Sequence, residues 1–157
     1  MIDVPLFRLD DPTTLGDGAD LEPLTAPRRI RAGDAAADLP ARHDVTLSPG
    51  ARALVPTGFA IAVPDRHCGL ILPRSGLALS HGVTVLNAPG LIDAGYRGEV
   101  KVLLWNTGGD EVRLERGQRI AQLLVLPVDA LTLTEVAELP PAPDDRGADG
   151  FGSSGRR

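Results

Sequence analysis

The chain has 157 residues, 43% apolar and 24% charged, with a net charge of −5 at pH 7, the profile of one globular domain and not of a disordered tail. Its single cysteine, Cys68, excludes an internal disulfide and suits a reducing, cytoplasmic compartment. The negative balance argues against broad nucleic-acid binding, and neither a signal peptide in "MIDVPLFRLDD" nor an apolar stretch of transmembrane length is found, so no nucleic acid or membrane is expected as a partner.

Aromatics make up 3% of the chain, so the core must be built from Val, Leu, Ile and Ala. Eighteen Gly and fourteen Pro favour many short strands over long helices. The predicted strands begin with "VPLFRL" (4–9), followed after an irregular connection over 10–29 by "DVTL" (44–47), "ARALVPTG" (51–58) and "FAIAV" (59–63). Next come "CGLILP" (68–73), a short helical turn at "SGLALS" (75–80), and "GVTVLN" (82–87). "GEVKVLLWN" (98–106), "EVRL" (111–114), "RIAQLLVLPV" (119–128) and "LTLTEV" (131–136) complete the series. Short strands at this spacing, broken by turn signals, predict an all-β sandwich, jelly roll or barrel. From Leu139 the chain turns Pro-rich and then Gly-rich. This divides it into a β domain over 1–138 and a linker with a terminal arm over 139–157.

Five stretches carry chemistry. "GDAAADL" (33–39) sets Asp34 and Asp38 four residues apart, a pair that serves either as turn and cap residues or as a direct or water-mediated Mg²⁺ site. In "PRSGLA" (73–78), Arg74 offers a fork of donors, Ser75 a hydroxyl, and Gly76 close backbone approach. These suit phosphate oxygens, although Arg-Ser-Gly also makes a plain turn. "NAPGLIDAGYRGEV" (87–100) holds Asn87, able to read an amide-like base edge, and Asp93, which reads as a turn residue or as a carboxylate for a water. Its Tyr96 packs in a hairpin or gates a ligand. In "RGQRIAQLLV" (116–125), Gln122 is an amide inside an apolar run, to be satisfied by backbone or by ligand. "RGADGFGSSG" (146–155) is a solvated tail by composition, yet it centres on Phe151 behind Arg146.

In this order the five stretches resemble the five motifs of the trimeric dUTPases, from about Asp34 to Gly155. The resemblance implies an all-β jelly roll, a homotrimer whose active sites draw on all three chains, and Mg²⁺-assisted hydrolysis of dUTP to dUMP and pyrophosphate. It gives catalytic roles to Asp93, Ser75, Arg74 and Gln122, with Asp93 orienting the attacking water. Arg74, Ser75, Gly76 and Gln122 fall on phosphate-binding positions. Asn87, Gly90, Leu91, Ile92, Asp93, Tyr96 and Lys101 fall on the hairpin that reads uracil and deoxyribose. Asp38 matches the aspartate linked to Mg²⁺ through water, the metal being held mainly by the triphosphate. In the arm, Arg146, Phe151, Gly152, Ser153 and Ser154 match residues that close over the nucleotide.

Two positions depart from the pattern: Ala36 and Asp149 stand where glycine is usual. A positive φ at Ala36 would be strained, and a carboxylate at Asp149 would sit near the triphosphate. Two rival functions stay open. A dCTP deaminase shares this fold and needs an acid/base group, for which Glu99 is the nearest carboxylate; a non-catalytic nucleotide-binding trimer is the other. Trp105 reads equally as a core residue or as part of a trimer interface.

Overall fold

A computed structural model describes residues 2–9, 22–143 and 148. Arg146, Asp149, Phe151, Gly152, Ser153 and Ser154 lie outside the described residues, as do positions 10–21 of the N-terminal connection. In chain order the strands are β1 (Leu6–Arg8), β2 (Ala37–Pro40), β3 (Val45–Leu47), β4 (Arg52–Ile61) and β5 (His67–Leu72). A single helix, α1 (Ser75–His81), precedes β6 (Val83–Val85), β7 (Gly90–Asp93), β8 (Glu99–Asn106), β9 (Val112–Leu114) and β10 (Arg119–Pro127).

The strands form two four-stranded sheets, ordered β1-β4-β8-β6 and β2-β10-β5-β7, with β3 and β9 paired separately. All the strand pairs are antiparallel. Alternation decides which side chains face inward. On β8, Val100, Val102 and Leu104 are buried, whereas Lys101 and Trp105 are exposed. They meet Val55 of β4, Ile71 of β5, Ile92 of β7 and Ile120 of β10 in one apolar cluster, so both sheets cover a single core. Trp105 is therefore not a core residue; it stands on the outer face opposite Arg52 and Thr84, its Nε1 donating to the Gly50 carbonyl.

Three expectations change. The segments 51–58 and 59–63 are one strand, bent at a register shift between Pro56 and Ala60 where Gly58 has φ +80°. "GDAAADL" contributes β2, whose Asp38 lies beside Gln122 of β10, because pairing overrides the weak β-propensity of Ala and Asp. "LTLTEV" is not a strand: Leu131 and Leu133 are 80% and 86% exposed, and within the protomer the segment pairs with no other strand. Ala36 carries no strain either, since Arg66 is the one non-glycine with positive φ among the described residues.

Helix α1 is fixed at its C-terminus by contact with the β8–β9 turn. Gly82 caps it in the left-handed region at φ +67°, and a Cβ there would lie 2.7 Å from the Gly108 nitrogen. Buried Asn106 organises that turn: its Nδ2 donates to the Leu47 and Asp110 carbonyls, and its Oδ1 accepts from the Gly108 N–H. Just before β3, Asp44 reaches β9 and the turn after it; the Arg116 backbone N–H and then the Arg113 guanidinium hold its carboxyl below the ordinary value. Among the described residues no helix is long and apolar enough to cross a membrane.

Candidate active site

The sequence-predicted residues that the structure describes collect in two separate clefts. The first, about 460 Å³, lies where β2, β10 and β5 run side by side. Asp38 pairs with Gln122, and Gln122 with Leu72, so these three positions form one row across the sheet. Directly equivalent positions on antiparallel strands point to the same face. Just beyond Leu72 the chain passes through Pro73 and Arg74 into α1, which places Arg74, Ser75 and Gly76 at the end of that row.

Arg74 is held on two sides. Its Nε lies 3.2 Å from Asp38 Oδ1, and its Nη1 donates to the Arg119 carbonyl. The second Asp38 oxygen accepts from Arg119 Nη1 at 2.9 Å. Asp38 therefore bridges two guanidinium groups, and the fork of Arg74 is oriented before any ligand arrives. Gln122 donates through Nε2 to the Pro73 carbonyl at 2.8 Å. Its polarity is thus answered in part by backbone, while it still lines the cleft. A Cβ on Gly76 would meet nothing within 4 Å, so the space beside the chain is open there. The first N–H groups of α1 have no intrahelical partner, a favourable setting for an anion. Asp34 lines the same cleft, and its Oδ2 accepts the Arg31 N–H.

The second cleft, about 370 Å³, is formed by the β6–β7 turn, β7, and the loop into β8. Asn87, Gly90, Leu91, Ile92, Asp93, Tyr96 and Lys101 all line it. The missing side chain at Gly90 makes room for the Asn87 amide, since a Cβ would lie 3.4 Å from its Nδ2 and 3.3 Å from Ile71 Cβ. The Asp93 carbonyl accepts the Tyr96 N–H, which closes the turn, and Tyr96 Oη donates to the Glu99 carbonyl. Glu99 also lines this cleft, but its Oε1 accepts the Gly58 N–H at 2.9 Å and faces Arg42 at 3.4 Å. Its carboxylate thus braces the bend of β4.

A single chain does not unite the two sets. Asp93 pairs with Cys68 at the start of β5, whereas Arg74 leaves the far end beyond Leu72. At about 3.3 Å per residue, roughly 13 Å of strand separates those ends. Among the described residues none lines both clefts. Sequence reasoning missed Arg119, although it stands three residues before Gln122 in the same motif, and it missed the bracing role of Glu99. Among the described residues no group of three or more His, Cys, Asp or Glu could hold a metal. Asp38 is the carboxylate that stands among the cationic groups of the first cleft, one oxygen facing Arg74 and the other accepting from Arg119.

A dUTPase family model matches residues 22–155. The chain is 55% identical to the deoxyuridine 5'-triphosphate nucleotidohydrolase of Thermobifida fusca over 133 residues, covering 84% of this chain and 73% of that protein. It is 51% identical to the enzyme of the same name from Cutibacterium acnes over 134 residues, covering 85% and 87%. Among solved structures, the G164S dUTPase of Staphylococcus bacteriophage 80alpha with dUpNHpp superposes with a TM-score of 0.83 at 25% identity, covering 99% of each chain.

Proposed function

The chain belongs to the dUTPase family, and from that premise we propose that it hydrolyses dUTP to dUMP and pyrophosphate at sites shared between copies in a homotrimer of jelly-roll subunits. The observation that carries the reading is the division of labour between the clefts. One gathers Asn87, Asp93 and Tyr96, suited to a nucleoside and a water. The other gathers Arg74, Ser75, Gly76 and Gln122, suited to phosphates. A nucleoside triphosphate needs both, and a neighbouring copy supplies the half that one protomer lacks.

On this reading Asn87 and the backbone from Gly90 to Asp93 hold the uracil edge. Unpaired buried polar groups would reject cytosine, and a close fit would reject thymine's methyl group. Tyr96 stands against the sugar, where a 2′-hydroxyl would collide. Asp93 orients a water towards the α-phosphorus and takes its proton as the new P–O bond forms. The bond to the bridging oxygen breaks, and the charge leaving on pyrophosphate meets the donors of Arg74, Ser75 and Gln122. Asp38 would face, through water, a Mg²⁺ carried by the triphosphate, and that ion would supply further charge neutralisation on the phosphates. The arm over 139–157 would close the site through Arg146, Phe151, Gly152, Ser153 and Ser154. The product chemistry keeps dUTP out of DNA synthesis and yields dUMP for dTMP formation in the cytoplasm.

Two further observations favour this reading. On the outer face of β4 and β8, Leu54 is 58% exposed and Trp105 is exposed beside it, apolar surface that a second copy would cover. A deaminase would need a free acid/base carboxylate, and Glu99 is committed to Gly58 and Arg42.

The test is pyrophosphate release from dUTP, dCTP, dTTP and UTP, with and without Mg²⁺, for wild type and Asp93→Asn. We expect Mg²⁺-dependent turnover of dUTP alone, falling by a factor on the order of 10³ or more in the variant, as loss of a group that acts in the transition state does. Ammonia release from dCTP would move the chain to the deaminases, and no turnover of any nucleotide would leave a binding protein.

A further inference from the structure

The loop from Asp93 to Glu99 holds Tyr96 in an unusual way. Its ring folds back over Gly98 on the same chain: a Cβ at residue 98 would lie 2.5 Å from Tyr96 Oη, 2.7 Å from Cζ and 3.1 Å from Cε2. Real Cβ atoms do not approach other heavy atoms so closely. The backbone does not demand glycine here, since Gly98 is absent from the positive-φ glycines. What the position demands is empty space for the ring. From that seat Tyr96 Oη donates to the Glu99 carbonyl at 2.9 Å, and Glu99 is itself tied to β4 through the Gly58 N–H and paired with Arg42 of the β2–β3 connection. The other atoms near the ring are fixed as well: the Tyr96 N–H is bonded to the Asp93 carbonyl, and Arg97 Nη1 is bonded to the Ala94 and Tyr96 carbonyls.

We propose that Gly98 is a specificity-determining position, acting through Tyr96: by leaving room for the folded-back ring it sets how close that ring stands to the sugar, and so whether a ribonucleotide is refused. The inference rests on the nucleoside reading of this cleft. Gly98 does not itself line the cleft. A side chain there would displace the phenol from the Glu99 carbonyl and turn the ring, while costing the fold little, because the atoms it meets are the far end of one exposed side chain.

The experiment compares kcat/KM for dUTP and for UTP in wild type, Gly98→Ala, Tyr96→Ala and the double variant. Steric discrimination by a pocket is commonly worth about 10- to 100-fold, so Gly98→Ala should lower the preference for dUTP by about tenfold, chiefly by raising KM for dUTP. Partial misfolding would scale both substrates alike and leave the ratio unmoved. In the Tyr96→Ala background the glycine substitution should change the ratio no further. A ratio unchanged in Gly98→Ala, or changed equally with and without the ring, would overturn the proposal. The chain has one tyrosine, so fluorotyrosine labelling gives a single ¹⁹F resonance that reports the ring directly. That resonance should move in Gly98→Ala, and a resonance left in place would also overturn the proposal. A wild type inert towards dUTP would remove the functional reading, while the ¹⁹F signal would still judge the positioning.

Discussion

Asp38 stands between Arg74 and Arg119, in an ion pair with the first at 3.2 Å and a charge-assisted hydrogen bond with the second at 2.9 Å. Such pairs gain strength and geometry from the planar guanidinium fork. In the proposed reaction Arg74 is the member that meets phosphate, and Arg119 touches it through Asp38 and through its own carbonyl. Arg119→Gln should therefore lower kcat/KM for dUTP by about tenfold, the scale on which small misplacements of a positioning group tell. It should leave the preference for dUTP over UTP unchanged, because the nucleoside cleft shares no residue with this cluster. Initial-rate kinetics with both nucleotides check this. The motifs made Arg74, Ser75, Gln122 and Asp93 legible as candidates from the sequence alone. The clamp by Arg119 and the space at Gly98 were not, because each depends on a neighbour brought near by folding or by a side-chain rotamer.

The buried Asn106 shows how one polar side chain ends a strand and shapes the next turn. Its amide donates to the Leu47 and Asp110 carbonyls and accepts from the Gly108 N–H, the first of these contacts fully buried. Asn106→Leu should destabilise the protein by about 3 kcal/mol, since each buried group left unsatisfied costs about 1–3 kcal/mol. A urea denaturation midpoint, with the slope unchanged, measures it. Through Gly108 and Gly82 the same turn supports the end of α1, so the variant should also loosen the phosphate cleft. Strands with clear alternation, such as β8, were readable from their pattern. Strand β2 was not, because "ADLP" becomes a strand only by pairing with β10. "LTLTEV" shows the opposite error: its alternation is that of a strand, but no edge in the protomer receives it.

At the scale of the whole molecule the account turns on the separation of the two clefts along β5. If each active site takes Asp93 from one copy and Arg74 from another, two inactive variants should repair each other. Asp93→Asn and Arg74→Ala are each expected to abolish turnover, and each leaves the opposite cleft intact. The measurement is dUTP hydrolysis by mixed oligomers, made by refolding or producing the two variants together in equal amounts. Random assembly of shared sites gives about a quarter of them with both groups native, so activity should return to about a quarter of the wild-type value. If Asp93 and Arg74 of the same chain served one site, every site would carry one lesion, and the mixture would stay as inactive as its parts; that result would contradict the account.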